Sequence, residues 1–349
     1  MTFYHIVNVM SDIFNKLLVL RTPGIGPAKY NELIRKFESL DAVVAAIGID
    51  AGVRNNVLRE MDVAQSMGIK YISDDDDLYP WNLKQVKNHA PVICVRGNLE
   101  TLKKDMVAMV GTRHATAAGM KIIADLAQGF AEHNVAVVSG MAIGTDTAAH
   151  RGALRATGNT QTVAVLAGGV DYIWPVENES LYWEIVERGA VISEMPVGFV
   201  PVATNFVMRN RIVAGLANRL ILGEADEKSG SMTTARFAID YERDVWAIPS
   251  HPTDLRAVGP NSLIRSGAAK LCMGINDFWE IQKNESNPKK KSQKNESEFN
   301  LIDMLGTVPV SESVLTELAK KTVSEIKSEL VVLELQGLVR KVDGGYVRA

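Results

Sequence analysis

Apolar positions change their period twice along the chain, and the changes mark out three textures. Up to residue 69 they recur at helical spacing over residues 13–20, 29–38, 41–46 and 53–67, a pattern that predicts short amphipathic helices. Between the first two lies Arg21-Thr22-Pro23-Gly24-Ile25-Gly26-Pro27, a breaker cluster that predicts a tight turn between helices. From residue 70 the pattern switches to short apolar runs, 106–110, 135–138, 163–166, 191–192, 220–222 and 245–248. Their length and β-branched content suit strands buried on both faces.

Helical spacing fills the gaps at 117–132, 147–156, 180–188, 211–217 and 233–242. Alternation of this kind predicts an α/β fold, an extended Rossmann-like doubly wound sheet. Two further strands, around Tyr71 and over 92–95, are expected to lengthen its edge. Residues 283–298, with Asn287-Pro288-Lys289-Lys290-Lys291, have too few apolar positions to pack and read as a linker. Helical spacing then returns at 300–305, 314–319 and 324–336, followed by apolar pairs around Gly337 and Gly344-Gly345. Three helices and a hairpin predict a winged helix. The expected domains are therefore 1–69, 70–282 and 299–349.

Composition narrows the function classes. The 349 residues are 46% hydrophobic and 23% charged, as in an ordinary globular protein. A net charge of −3 argues against adhesion to nucleic acid over the whole surface, so any phosphate site must be a local patch. Cys94 and Cys272 have no CxxC or His-rich setting, and neither a disulfide framework, a metal nor a cofactor is expected. The first twenty positions lack a signal-peptide pattern, and no run approaches a membrane span. A cytoplasmic protein is expected.

In a doubly wound sheet, ligands sit beyond the carboxyl ends of the strands. Those positions are rich in small and polar residues: Gly111-Thr112-Arg113, Ser139-Gly140-Met141-Ala142-Ile143-Gly144-Thr145-Asp146, Gly168-Gly169-Val170-Asp171, Ser193-Glu194, and Glu224 followed by Ser229-Gly230-Ser231. All are expected to face one crevice. Small residues there let the backbone approach a ligand, and the helix that follows offers free amides to an anion. The run Asn205-Phe206-Val207-Met208-Arg209-Asn210-Arg211 adds a ring on which a base can stack and two guanidinium groups, the equipment for single-stranded nucleic acid. The plainer alternatives are tight turns, a core Phe206 and arginines paired with acids, Glu194 and Glu224 being candidate partners for Arg113 or Arg209.

Taken in order, these motifs, with Ala149-His150-Arg151-Gly152-Ala153-Leu154 and Gly259-Pro260-Asn261-Ser262-Leu263-Ile264, resemble the DNA-processing protein A (DprA/Smf) family over residues 17–271. The resemblance implies a homodimer that binds single-stranded DNA in a basic crevice, protects incoming DNA and loads the RecA recombinase in natural transformation. Carried over by motif, Arg113, Arg209, Asn210 and Arg211 would meet phosphates and Phe206 a base. Gly111, Thr112, Ser139, Gly140, Ser229, Gly230 and Ser231 would supply amide and hydroxyl donors. The chain departs from the family pattern at Trp174-Pro175, where Tyr-Pro is usual, at Gly223, and at Pro249-Ser250. Gly223 leaves the local pocket shape open. The Pro23–Pro27 turn is similar to the hairpin of helix-hairpin-helix (SAM-like) modules, with Arg21, Lys29, Arg35 and Lys36 its nearby cations.

Two rivals stand beside this reading. A nucleotide phosphoribohydrolase-like enzyme would need a glutamate where Phe237 closes the run from Ser229, and a phenyl ring cannot exchange a proton. GxGxxG, GxSxG and Walker A patterns are missing, and His150 reads as a packed helix residue. A protein-interaction adaptor with a vestigial crevice is the other rival. It is favoured at the C-terminus by Glu325, Glu329 and Glu334 against a single Lys327 on one predicted helix.

Overall fold

A computed structural model describes residues 3–158, 161–279 and 301–349. The expected linker, 283–298, lies outside them. The chain forms two compact units, one up to Asn284 and one from Glu285.

The first unit begins with four helices, α1 (Phe3–Arg21), α2 (Pro27–Phe37), α3 (Leu40–Ile47) and α4 (Ala51–Ser66). Ser39 and Asp50 cap α3 and α4, their side chains accepting from the Ala42 and Gly52 amides at 3.2 and 2.7 Å. Leu17, Leu18 and Val57 form an apolar cluster that includes Val92 of the sheet, so the helices share a core with it. Buried Lys16 strengthens that junction by donating to Ser73 Oγ at 2.7 Å and to Asp74 and Asp75.

The sheet has nine strands in the order β1-β2-β6-β5-β4-β3-β7-β8-β9. They are β1 (Lys70–Ser73), β2 (Val92–Gly97), β3 (Met106–Val110), β4 (Ala136–Ser139), β5 (Thr162–Val165), β6 (Ala190–Ser193), β7 (Arg219–Leu222), β8 (Asp244–Ala247) and β9 (Lys270–Leu271). From β6 to β9 every pairing is parallel, and β1 and β2 add an antiparallel edge. The chain builds outward from β3 to β6, then returns to place β7 on the other side of β3. This reversal is the doubly wound switch point, where a crevice opens above the strand ends.

Side-chain alternation explains the two layers of helices. Met106, Ala108 and Val110 share one cluster with Ile212, Val213 and Leu216 of α9 (Ala203–Leu216) and Met232 and Ala235 of α10 (Gly230–Asp240). Val107 and Met109 face the opposite way, onto Ile123, Ala127 and Phe130 of α6 (Ala117–Glu132) and Ala149 and Ala153 of α7 (Thr145–Ala153). Leu181, Tyr182 and Ile185 of α8 (Glu179–Arg188) cover β5 and β6 on the α7 side. Two short helices, α5 (Trp81–Lys84) and α11 (Val258–Arg265), complete the unit.

The second unit packs α12 (Glu312–Ala319) and α13 (Val323–Leu335) against the hairpin of β10 (Val339–Val342) and β11 (Gly345–Arg348). This is the winged helix expected from the pattern, with one correction. The first of its three expected helices is, among the described residues, a 3-10 turn at Leu301–Met304.

Candidate functional site

An open cavity of about 520 Å³ lies at the switch point. The loop after β3 contributes Gly111, Thr112, Arg113 and His114, and the loop after β4 contributes Gly140 and Ala142. One face of α9 and the amino end of α10, with Ser229, Gly230, Ser231 and Thr234, close it.

Helix geometry decides what α9 presents. Residues Ala203, Phe206, Val207, Asn210 and Val213 stand at i, i+3, i+4, i+7 and i+10 and share the cavity face. Sequence patterning places the helix at 211–217, but it begins at Ala203, where Asn205 Oδ1 accepts from the Val202 amide at 2.8 Å. The aromatic and both arginines therefore sit on a helix, and Arg211 lies about 200° around its axis from Arg209. Its guanidinium is buried on the other side, paired with Glu194 and donating to the Asn88 carbonyl at 3.3 Å. This corrects the placement of Arg211 among the phosphate contacts.

Arg209 reaches the cavity floor, yet it is 7% exposed. Its Nη1 donates to the Gly140 carbonyl at 2.6 Å and to that of Val165, and its Nε to Asn210 Oδ1 at 3.2 Å. Burial lowers its pKa to about 10, against the opposing pull of Asp146. The Asp146 carboxylate in turn accepts from the Gly140 and Ala142 amides at 3.1 and 3.2 Å. Burial raises its pKa, with Arg209 and these amides opposing. Arg209 and Asp146 thus hold the β4 loop from inside. A Cβ at Gly140 would sit 2.6 Å from Arg209 Nη2, so a larger residue there would displace the guanidinium. Gly144, at φ 81°, turns the same loop into α7 with a Cβ position 2.5 Å from the Arg113 carbonyl.

Arg113 is the contrasting case. It is exposed, has no ion pair among the described residues, and lies over the Trp174 ring at 5.1 Å from the centroid. Trp174 is in turn edge-on to Phe206 at 4.7 Å. A free cation and two rings therefore line up along one wall. The amino end of α10 is ordered by Ser229 Oγ, which accepts from the Ser231 amide at 3.3 Å, and by Asn210 Nδ2, which donates to the Gly230 carbonyl at 3.2 Å. The Met232 amide donates to the Ser229 carbonyl at 3.0 Å, which leaves the Gly230 amide, without a partner among the described residues, for an anion at the start of the helix.

Of the twelve residues expected at the site, Gly111, Thr112, Arg113, Gly140, Phe206, Arg209, Asn210, Ser229, Gly230 and Ser231 line the cavity. Ser139 does not, being fully buried with its hydroxyl donating to the Met109 carbonyl at 2.7 Å. Not all strand ends share the crevice either. Asp171, Pro196, Val197 and Gly198, beyond β5 and β6, line a separate cavity. Glu224 pairs with neither Arg113 nor Arg209. It accepts from the Thr116 amide and hydroxyl at 2.7 and 2.5 Å, at the cap of α6. Gly223 faces Ile123 and Thr145 beneath the loops and leaves the cavity wall untouched. His150 is fully buried, its Nδ1 2.7 Å from Thr162 Oγ1. Phe237 packs against the core and stacks on Tyr241 away from the cavity. Around the Pro23–Pro27 turn, Arg21 is bound to Glu60, Lys29 to Glu32 and Arg35 to the Asn31 carbonyl, and Lys36 lies over Phe37.

Sequence reasoning missed Trp174 and His114. The signal for Trp174 was available as the aromatic of the Trp-Pro step after β5.

The family model described as DNA recombination-mediator protein A matches residues 70–283, and the DprA winged helix domain matches 285–345. The chain belongs to the DprA/Smf family. It is 33% identical over 266 residues to Protein Smf of Synechocystis sp., covering 70% of this chain and 66% of that protein. With the DNA processing protein DprA of Streptococcus pneumoniae it shares 39% over 207 residues, 59% of this chain and 72% of the relative. The X-ray structure of DNA processing protein A from S. pneumoniae superposes with TM-score 0.66 at 31% identity, covering 76% of this chain and 97% of that one. That of DNA processing protein A from Helicobacter pylori, described for its single-stranded DNA binding mode, superposes with TM-score 0.56 at 27% identity, covering 63% and 97%. Among the described residues of this DprA/Smf chain, no helix is long and apolar enough to cross a membrane.

Proposed function

We propose that this chain is a cytoplasmic DNA-processing protein that grips single-stranded DNA in the switch-point cleft and makes or breaks no bond itself. The observation that carries the reading is the alignment of unpaired Arg113 with the Trp174 and Phe206 rings, opposite the open amino end of α10. A cation and a free helix-start amide suit phosphate, and an exposed Trp174 ring beside a half-buried Phe206 suits unpaired bases whatever their sequence. The relatives named for DNA processing and the H. pylori structure described for single-stranded DNA support it. Against a phosphoribohydrolase-like reaction stands Phe237, which lies outside the cleft and carries no proton to exchange. Within the same proposal, a homodimer holds two stretches of strand, protects incoming DNA and passes it to the RecA recombinase.

The test is fluorescence anisotropy of a labelled poly-dT oligonucleotide across a salt series. Binding should weaken with salt, and Arg113→Ala should flatten the log–log slope by about 0.7, one phosphate contact on a single strand. Competing duplex at equal concentration should displace little, since paired bases cannot stack on Trp174 or Phe206. Equal slopes for the parent and Arg113→Ala would reject the cleft as the site.

For the C-terminal unit a protein-docking role is favoured. Helix α13, which would read a DNA groove in a winged helix, exposes Val331, Val332 and Leu335 beside Glu325 and Glu329. Such a face repels phosphate and suits an apolar partner.

A further inference from the structure

A second cavity, of about 490 Å³, lies between α4 and the loops that follow β5 and β6. Asn56, Arg59 and Val63 form one stripe of α4 on one side of it, and Asp171, Pro196, Val197 and Gly198 form the other. Arg59 is exposed and makes no hydrogen bond or ion pair among the described residues. The neighbouring charges are already engaged. Glu60 binds Arg21 and accepts from Tyr71 Oη at 3.1 Å, and both oxygens of Asp171 lie within 3.0 Å of the Gly198 amide. Arg59 is thus left as the cation of this cavity with no partner of its own.

The cavity adjoins the cleft through a single short loop. Asp171 lines the former, whereas Tyr172 and Trp174 line a small pocket that shares Gly140, Phe206 and Arg209 with the cleft. Three peptide units separate Asp171 from Trp174, which bounds their Cα distance at about 11 Å. A stacked single strand, at roughly 3.4 Å per nucleotide, would cross that gap with about three nucleotides.

We propose that the α4 cavity is a second backbone-contact point for the same single strand, with Arg59 and Asn56, across the cavity from Asp171, meeting a phosphate a few nucleotides beyond Trp174. The N-terminal helices thereby become part of the DNA track, through α4 and not through the Pro23–Pro27 turn, whose cations are engaged. This rests on the cleft reading above.

The experiment compares Arg59→Ala, Arg59→Lys and Arg113→Ala in the full chain, using labelled dT oligonucleotides of about 4 and about 15 nucleotides. Arg59→Ala should spare the short strand, weaken the long one roughly fivefold at low salt and flatten its salt slope by about 0.7, with Arg59→Lys restoring most of the loss. Arg113→Ala should weaken both. If Arg59→Ala matches the parent on the long strand while Arg113→Ala weakens both, the second contact is refuted and the cleft stands. If Arg59→Ala weakens both lengths alike, it acts on the cleft and the track is refuted. If Arg113→Ala changes neither length, the cleft reading fails and the track falls with it.

Discussion

Arg209 and Arg113 come from separate motifs with the same expected role but stand in opposite settings in the structure, and replacing each separates the two roles. Arg209→Leu removes the cation facing Asp146 and leaves the Gly140 and Val165 carbonyls without their donor. Stranding two buried acceptors at about 1–3 kcal/mol each, and removing the cation whose field offsets the burial of Asp146, costs about 3–5 kcal/mol in all. At roughly 2–4 °C per kcal/mol, the melting temperature of the first unit should fall by about 10 °C. Arg113→Ala removes an exposed side chain that lies over the Trp174 ring and makes no ion pair among the described residues, and should stay within about 0.5 kcal/mol of the parent.

Two further readings follow from Asp146. Its carboxyl pKa is already raised by burial and rises further without Arg209. A carboxyl raised in the folded state favours the protonated form, so the deficit of Arg209→Leu should be largest at alkaline pH and shrink as pH falls. Adding Asp146→Asn removes the stranded charge and should recover about 1–3 kcal/mol relative to Arg209→Leu alone. Thermal melts of the four proteins at two pH values, paired with oligonucleotide anisotropy, complete the cycle. An Arg209→Leu protein that melts with the parent and yet loses DNA affinity as Arg113→Ala does would refute the reasoning, since its guanidinium would then be free for phosphate.

Trp174→Ala should weaken single-strand binding by about 1–3 kcal/mol, the worth of one stacked base, with little change in melting temperature. Ser229→Ala should cost about 1 kcal/mol by removing the cap of α10, read by denaturant titration. Arg211→Ala should destabilise by about 3–5 kcal/mol through the stranded Glu194, leaving the salt slope of DNA binding unchanged. His150, which burial pushes down to about 3, stays neutral in the folded protein and titrates near 6.5 when unfolded. Folding therefore excludes a proton between those values, and stability should fall by up to about 1.4 kcal/mol per unit as pH drops through 6.5 toward 3. His150→Gln should flatten that slope in acid titrations followed by circular dichroism.

The fold was legible where burial on both faces forces continuous apolar runs. Met106–Val110 and Ala117–Glu132 coincide with the patterned segments, since a central strand and a long amphipathic helix have unambiguous periods. Lys70–Ser73, on the edge, was legible only as a vicinity. Strand β9 (Lys270–Leu271) pairs with Trp246 and Ala247, but its two exposed residues offer no apolar period to betray it. The start of α9 was hidden because its first two turns, 203–210, mix exposed, polar and buried side chains around a cavity instead of presenting one apolar stripe to the core.

That hidden helix start also explains where the site was misjudged. With the helix expected only from residue 211, Phe206 and Arg209 have no fixed directions, and two arginines count as two phosphate ligands. On a helix the direction of each is set by its number. Phe206 and Asn210 are one turn apart and face the cleft, Arg209 slants to its floor, and Arg211 turns to Glu194. Burial then divides the arginines again, because Arg209 spends Nη1 on two carbonyls and Nε on Asn210, which leaves only Nη2 to meet a ligand. Among the described residues of the cleft, one free cation with two rings predicts a grip that depends on stacking as much as on charge. That balance agrees with a chain whose net charge is −3, and it puts the weight of the binding on Trp174, a residue read at the outset only as a departure from Tyr-Pro.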